Sequence, residues 1–376
     1  MQTIRLSKSC IGKEEKEAVS KVLDAEFLGM GQDVKNFESE LAAFIAIPEG
    51  NVVCVNTGTS ALQLALSGLD IGEGDEVIVP SLTYVASFQA ISATGATPVA
   101  CDIDVNTLCM DLADVERRIT SKTRAVMPVH YAGETAFIPN LNKLAIKYSL
   151  RVIEDAAHSF GGYRDGKRIG KVGDVICFSF DGIKNITSGE GGAIITSDPK
   201  LLQRIKDGRL LGVERDSEKR YNGKRSWNFN VSHQGFRFHM SNIMAAIGRE
   251  QLKKADEFIN VRKKAVALYN ELLSDVPKII CLEHDFKNNA PHIFPVKVQG
   301  AKRDELIDSL RQRGIECGFH YQPNHKLTYY NKNETLKVTS KVSDEIMTLP
   351  LHADLSEANV VFIVDVLKDI LETANV

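Results

Sequence analysis

Asn51-Val-Val-Cys-Val-Asn56, running straight into Thr57-Gly58-Thr59-Ser60-Ala-Leu-Gln-Leu-Ala-Leu66, decides the fold. The first half is a short apolar run of strand type. The second carries apolar residues at helical spacing, and a glycine turn joins them. The alternation continues outward. Strand-like 76–81 precedes a helix over 84–94, and strand-like 98–102, 124–129 and 151–154 are separated by helical stretches near 111–119 and 139–148. Alternating strands and helices mean crossover units and a mainly parallel sheet. The strands 174–179 and 192–196 lie too close together for a parallel crossover, so an antiparallel element is expected there.

On the N-terminal side, 14–24 and 33–46 read as amphipathic helices. Beyond the strands come a helix over 199–211, a polar aperiodic stretch over 212–236, and a long helical segment from about 242 to 273. Strand-like 293–297 and helices 303–313 and 355–372 close the chain. This predicts an α/β protein with a large domain over 1–250 and a smaller α+β domain over 251–376, linked by the long helix.

The chain has 376 residues, 43% hydrophobic and 25% charged, which excludes disordered, collagenous and coiled-coil classes. A net charge of −3 argues against a nucleic-acid binder, which needs a positive excess to meet phosphates. Runs such as Val360-Val361-Phe362-Ile363-Val364 are too short to span a bilayer, so no membrane association is expected. Met1-Gln-Thr-Ile-Arg-Leu-Ser7 lacks the charged start and apolar run of a signal peptide. Seven scattered cysteines without a C-x-x-C pair read as reduced, buried thiols in the cytoplasm, and no metal site is expected.

Three places carry chemistry. Asn56-Thr57-Gly58-Thr59-Ser60 opens a helix after a strand. Its free N–H groups and helix dipole suit a phosphate, although Thr and Ser are also ordinary N-caps. Glu154-Asp155-Ala156-Ala157-His158 ends an apolar strand, the edge at which open α/β sheets bind ligands; a carboxylate here can hold a proton on a ring nitrogen or simply cap a helix. Lys184 follows the strand 174–179 and precedes the turn Gly189-Glu190-Gly191-Gly192. Desolvated, it is a nucleophile towards a carbonyl; solvated, it is an ordinary loop lysine. Phosphate cradle, strand-end Asp and loop Lys, in this order, are the three anchors that pyridoxal phosphate requires for its phosphate, ring nitrogen and aldehyde.

These residues resemble the DegT/DnrJ/EryC1/StrS sugar aminotransferase family, which has the pyridoxal-phosphate type I fold. The likeness runs nearly end to end. It includes Thr57-Gly-Thr-Ser-Ala-Leu62, Pro80-Ser-Leu-Thr-Tyr84, Val129-His-Tyr-Ala-Gly133, Ile153-Glu-Asp-Ala-Ala-His158, Phe178-Ser-Phe180 with Lys184, His320-Tyr321 with His325, and Leu349-Pro-Leu-His352. The resemblance implies that Lys184 bonds to the cofactor aldehyde and later moves the substrate proton, while Asp155 pairs with the ring nitrogen. It places Tyr84 on the ring face, His158 near the ring hydroxyl, and Gly58, Thr59, Ser60 and Ser179 around the phosphate. Substrate contacts are expected from Ser7, Lys8, the 28–31 stretch with Gly29, His320, Tyr321 and His325. A core role is expected for His352.

The chain departs from the family pattern at Gly235-Phe236-Arg237-Phe238-His239-Met240. Many members carry Asn at the place of Arg237 and Arg at that of His239. Arg237 can still bind a phosphate, as a charge-assisted donor. The preceding loop, with Arg215, Lys219, Arg220, Lys224, Arg225 and Trp227, is either a clamp for a substrate diphosphate or a solvated run.

The implied reaction is ping-pong: L-glutamate gives its amine to the cofactor, and the resulting pyridoxamine phosphate aminates a nucleotide-linked ketosugar. Lys184 in place of the His of the related sugar dehydratases argues for transamination. Thr187-Ser188-Gly189-Glu190-Gly191-Gly192 resembles the type acting on 4-ketosugars, including 4-ketopentoses, more than the 3-ketosugar type. The resemblance also implies a homodimer. The alternatives are a 3-ketosugar aminotransferase and a non-catalytic sensor or scaffold. An NAD-dependent oxidoreductase lacks its G-x-G-x-x-G here.

Overall fold

The computed structural model describes residues 3–225, 227–300, 302–331 and 334–373; Ser226, within the expected 212–236 loop, lies outside the described residues. In chain order the elements begin with α1 (Lys13–Asp24), α2 (Gln32–Ile45), β1 (Val52–Val55), α3 (Gly58–Gly68), β2 (Glu76–Pro80), α4 (Val85–Ser92), β3 (Thr97–Cys101) and α5 (Leu112–Arg118). They continue with β4 (Thr123–Val126), α6 (Ile138–Tyr148), β5 (Arg151–Asp155), β6 (Tyr163–Arg164), β7 (Lys167–Arg168), β8 (Val175–Ser179), β9 (Gly192–Thr196), α7 (Pro199–Gly208) and α8 (Asp216–Tyr221). The chain closes with α9 (Asn242–Lys253), α10 (Ala255–Leu273), β10 (Ile279–Cys281), β11 (Phe294–Val298), α11 (Arg303–Gln312), α12 (Lys337–Glu345), β12 (Ile346–Leu349) and α13 (Glu357–Thr373).

Seven strands form one sheet in the order β1-β9-β8-β5-β4-β2-β3. Every neighbouring pair is parallel except those made by β9, which runs antiparallel to both β1 and β8. The short β8–β9 connection dictates this reversal. Helices cover both faces. Val53 and Val55 of β1 face Leu62, Ala65 and Leu66 of α3, whereas Val52 and Cys54 face Val34, Phe37 and Leu41 of α2. That is the two-residue period of a strand buried on both sides. The carboxyl ends of β5 and β8 carry Asp155 and Ser179 to one edge of the sheet.

The single helix expected over 242–273 is two helices. The break falls at Lys254, whose N–H bonds Gln251 and whose ammonium pairs with Glu14 and Glu15 of α1. There the chain changes packing partners: α9 lies against α1 and α2, and α10 against α13. Beyond it β10, β11 and β12 form an antiparallel sheet, roofed by α10, α11 and α13 through Tyr269, Leu306, Leu310, Ile363 and Leu367. Neither β10 nor β12 has a periodic signature in the sequence; each is only three or four residues long and gains its place by pairing with β11.

The aperiodic 212–236 stretch contains α8, anchored by Arg209. This fully buried guanidinium bonds Glu38 Oε1, the Cys54 carbonyl and the Tyr221 hydroxyl. No helix among the described residues is long and apolar enough to cross a membrane.

Candidate active site

The N-terminus of α3 is capped by Thr57, whose Oγ1 accepts from the Ser60 N–H at 2.9 Å. The amides of Gly58 and Thr59 come before the first intrahelical donor and have no hydrogen-bond partner among the described residues. Glycine is needed at 58 because the end of β8 crosses directly over it. A Cβ there would stand 2.7 Å from Ser179 Cβ and 3.3 Å from Ser179 Cα. The result is a pair of free N–H groups at the positive end of a helix, with the Ser179 hydroxyl alongside.

Asp155, the last residue of β5, is only 7% exposed. Its Oδ2 accepts from the Ser87 hydroxyl at 2.8 Å and its Oδ1 from the Ala157 N–H at 3.2 Å. These bonds hold the carboxylate at the sheet edge. Its neighbour Glu154 points to the other face of the strand. There it is fully buried between His130 Nε2 at 2.9 Å and Arg164 Nη1 at 2.7 Å. Burial raises the pKa of Glu154, but the hydrogen bond and charge of His130 and the charge of Arg164 outweigh it and keep Glu154 below the ordinary carboxylate range.

Lys184 reaches the same edge from the β8–β9 connection. Burial pushes its pKa down, opposed by Asp155 and Asp181 and reinforced by Arg262. Its Nζ lies 3.4 Å from His292 Nε2. His158 is buried with its Nε2 2.9 Å from the Tyr321 hydroxyl. Burial, then the charge of Lys184, drives His158 well below the usual imidazole range. His320 is lowered to about 4 by the same two causes. Tyr84 is 60% exposed, and its ring centroid is 5.8 Å from that of Tyr321.

One cleft of about 440 Å³ is lined by Gly58, Thr59, Tyr84, Asp155, His158, Ser179, Lys184, His320 and Tyr321 together with Thr57, Asp181 and Glu190. Ser60 sits just beneath, its hydroxyl donating to Asn56 Oδ1. The other sequence candidates lie elsewhere. Ser7 borders a small recess behind His320. Lys8 is paired with Asp354 at 2.6 Å. Gly29 lies in the turn before α2, where its carbonyl accepts from the Asn242 N–H. His325 is buried against Ser81 and Ser340. Arg237 has its side chain exposed on a segment bridged to Leu210. His352 is buried. Sequence reasoning missed Ser87, one helical turn into α4, and His292, just before β11. A Ser in a helix and a lone His before a strand carry no spacing signal.

The residues fit pyridoxal phosphate. The Gly58 and Thr59 amides and Ser179 would hold its phosphate, Asp155 its ring nitrogen, and Lys184 its aldehyde carbon. When bound, the cofactor supplies a ring that draws in electrons from the carbon losing a proton. With the cofactor bound, Asp155 would stand at the ring nitrogen, Lys184 would take and return the proton, and the buried His158, with Tyr321, would wall the cleft.

That division of labour defines the class, a pyridoxal-phosphate-dependent enzyme of the type I fold. The chain belongs to the DegT/DnrJ/EryC1/StrS aminotransferase family, whose family model matches residues 9–368. It is 34% identical over 376 residues to the spore coat polysaccharide biosynthesis protein SpsC of Bacillus subtilis, covering 97% of this chain and 96% of that protein. It is 33% identical to the dTDP-4-dehydro-2,3,6-trideoxy-D-glucose 4-aminotransferase of Saccharopolyspora spinosa, covering 98% and 97%. Among solved structures it matches the putative sugar aminotransferase Spr1654 of Streptococcus pneumoniae. The PLP-form superposes with a TM-score of 0.90 at 29% identity, covering 98% of this chain and 99% of that one. The PMP-form gives 0.91 at 28%, covering all of both. The chain is thus an aminotransferase of a pyridoxal-phosphate-dependent sugar aminotransferase family.

Proposed function

We propose that the protein transfers the amino group of L-glutamate, by way of pyridoxamine phosphate, to the C4 keto group of a nucleotide-linked deoxysugar or pentose. The observation that carries the reading is that Lys184, Asp155 and the open N-terminus of α3 line one cleft. The C4 position is supported by the 4-aminotransferase activity for which the Saccharopolyspora spinosa relative is named and by the Gly189-Glu190-Gly191-Gly192 turn. Gly58, Thr59, Ser60, Tyr84, Asp155, His158, Ser179 and Lys184 serve the cofactor; His320 and Tyr321 close the substrate side. The enzyme works as a cytoplasmic homodimer, and the exposed Arg237, Trp227 and Phe229 are the residues this reading assigns to the subunit contact. A panel of nucleotide-linked 3-keto and 4-keto sugars, with glutamate as donor, tests the reading through half-reaction spectra. Return of the pyridoxamine form to the pyridoxal form by 4-keto sugars alone supports it. Return by 3-keto sugars alone moves the reaction to C3, and no return with any sugar overturns it.

A further inference from the structure

Lys184 is tethered by four rotatable bonds, and its Nζ has a single described hydrogen bond, to His292. His292 is only 3% exposed and lies just before β11, so it reaches Lys184 from the segment leading into the C-terminal sheet. Its own bonding is one-sided. Nε2 faces Lys184, whereas Nδ1 is buried with no partner among the described residues. An unpaired buried polar nitrogen costs free energy that an apolar side chain of similar size would avoid. What the imidazole provides in return is its one polar contact, the lysine amine.

The direction of that contact follows from the charges around it. Burial lowers the pKa of Lys184 and Arg262 adds to this, while Asp155 from β5 and Asp181 from the connection after β8 favour its ammonium form. His292 faces Lys184, His158, Arg262 of α10 and His320, and burial together with these groups drives its pKa well down, so the ring is neutral. In its ammonium form Lys184 has three N–H donors and no lone pair, so towards that form the neutral imidazole is the acceptor. In that pairing Nε2 is the bare nitrogen and Nδ1 carries the hydrogen.

We propose that His292 is a positioning residue for Lys184: its Nε2 accepts an Nζ–H and so fixes where the lysine nitrogen stands and which way its remaining valences point. When Lys184 is the free amine, that bond uses one of its two N–H groups and leaves the lone pair free to take a proton. Without it the side chain is spread over rotamers that leave Nζ out of reach, and a displacement of about 1 Å in such a group costs roughly 100-fold in rate. His158, 4.5 Å away ring to ring, stacks at an angle against His292 and is itself tied to Tyr321, so the imidazole has little room to turn.

This inference rests on Lys184 as the reacting amine, and its test is separable from the identity of the sugar. His292→Phe removes the acceptor and keeps the bulk, and His292→Asn restores an acceptor oxygen. In the glutamate half-reaction, His292→Phe lowers kcat by about 10- to 100-fold with KM little changed. It also enlarges the isotope effect of α-deuterated glutamate, because proton transfer becomes slower than the other steps. His292→Asn recovers part of the rate.

A second readout needs no cofactor. The pH midpoint for labelling Lys184 with acetic anhydride falls by about half to one pH unit in His292→Phe, because the ammonium has lost its acceptor. An unchanged isotope effect and labelling midpoint in a His292→Phe protein that melts like the parent overturns the proposal. So does equal loss in both variants. Where His292→Phe melts lower, the labelling midpoint decides: a His292→Asn midpoint nearer the parent's than that of His292→Phe supports the proposal, and one equal to that of His292→Phe overturns it.

Discussion

The two walls of the cleft are built in different ways. The wall from the large sheet consists of the α3 N-terminus, Asp155 at the end of β5, and Ser179 and Lys184 after β8. Each stands where a strand ends, so backbone geometry alone delivers it to the carboxyl edge. The opposite wall, His320 and Tyr321, with His292 touching Lys184, comes from segments flanking the small antiparallel sheet, more than 100 residues further along the chain. Nothing local directs these side chains inward; the packing of α10, α11 and α13 against β10–β12 does so. On the proposed function, the first wall holds the groups that carry the chemistry. The second holds neutral imidazoles and a phenol that position and enclose them.

If this contrast is right, substitutions on the two walls differ in kind. Lys184→Ala removes the only lysine among the described residues that line the cleft and abolishes steady-state transamination, while its melting temperature stays close to that of the parent because the side chain makes no ion pair among the described residues. Appreciable turnover by that variant would put the reacting amine elsewhere. Asp155→Ala comes next. Loss of a preorganised charge at the ring nitrogen lowers kcat by about 100- to 1000-fold, as measured by stopped-flow spectra of the glutamate half-reaction. A loss of less than tenfold would detach Asp155 from the chemistry.

The buried imidazoles, in the cleft and at His352 outside it, are expected to respond to acid. His158 and His292 are driven well below the usual imidazole range, and His320 and His352 to about 4, with burial the first cause in each. The unfolded chain takes up protons at these rings as pH falls below 6.5, while the folded chain does not. Stability is therefore full above 6.5 and falls progressively towards pH 4. Glu154 has the opposite charge type, and its contribution is lost only lower, below about pH 4.5. Melting temperature measured from pH 8 to pH 5 should fall mainly below 6.5; a flat profile would mean the rings are charged or exposed.

The smallest effect concerns the phosphate cradle. Gly58→Ala sets a methyl 2.7 Å from Ser179 Cβ and costs about 1–3 kcal/mol of stability, together with weaker cofactor retention on dialysis. Unchanged retention would show that the β8 end can move aside.

The same contrast explains what was legible in the sequence. The large sheet, its antiparallel β9 and the cofactor wall follow from strand and helix periods and from which residues stand at strand ends. Thr57–Ser60, Asp155 and Lys184 could be placed on one edge without coordinates. The break at Lys254 was not legible, because helical spacing continues across it and only the change from α1 and α2 to α13 as packing partner reveals it. Nor were β10 and β12, which are too short for a period and exist through pairing with β11. His292 and Ser87 escaped for the related reason that a side chain's aim is set by tertiary packing. His325, Lys8 and Gly29 were drawn from motifs, and the fold sends them to Ser81, Asp354 and the turn before α2.

Borohydride reduction of the chain loaded with pyridoxal phosphate, followed by digestion and peptide mass measurement, addresses the central assignment. Loading should give visible absorbance that disappears on reduction, leaving one phosphopyridoxyl group on the peptide that carries Lys184. An adduct on another lysine, or a protein that stays colourless and unlabelled at saturating cofactor, would contradict it.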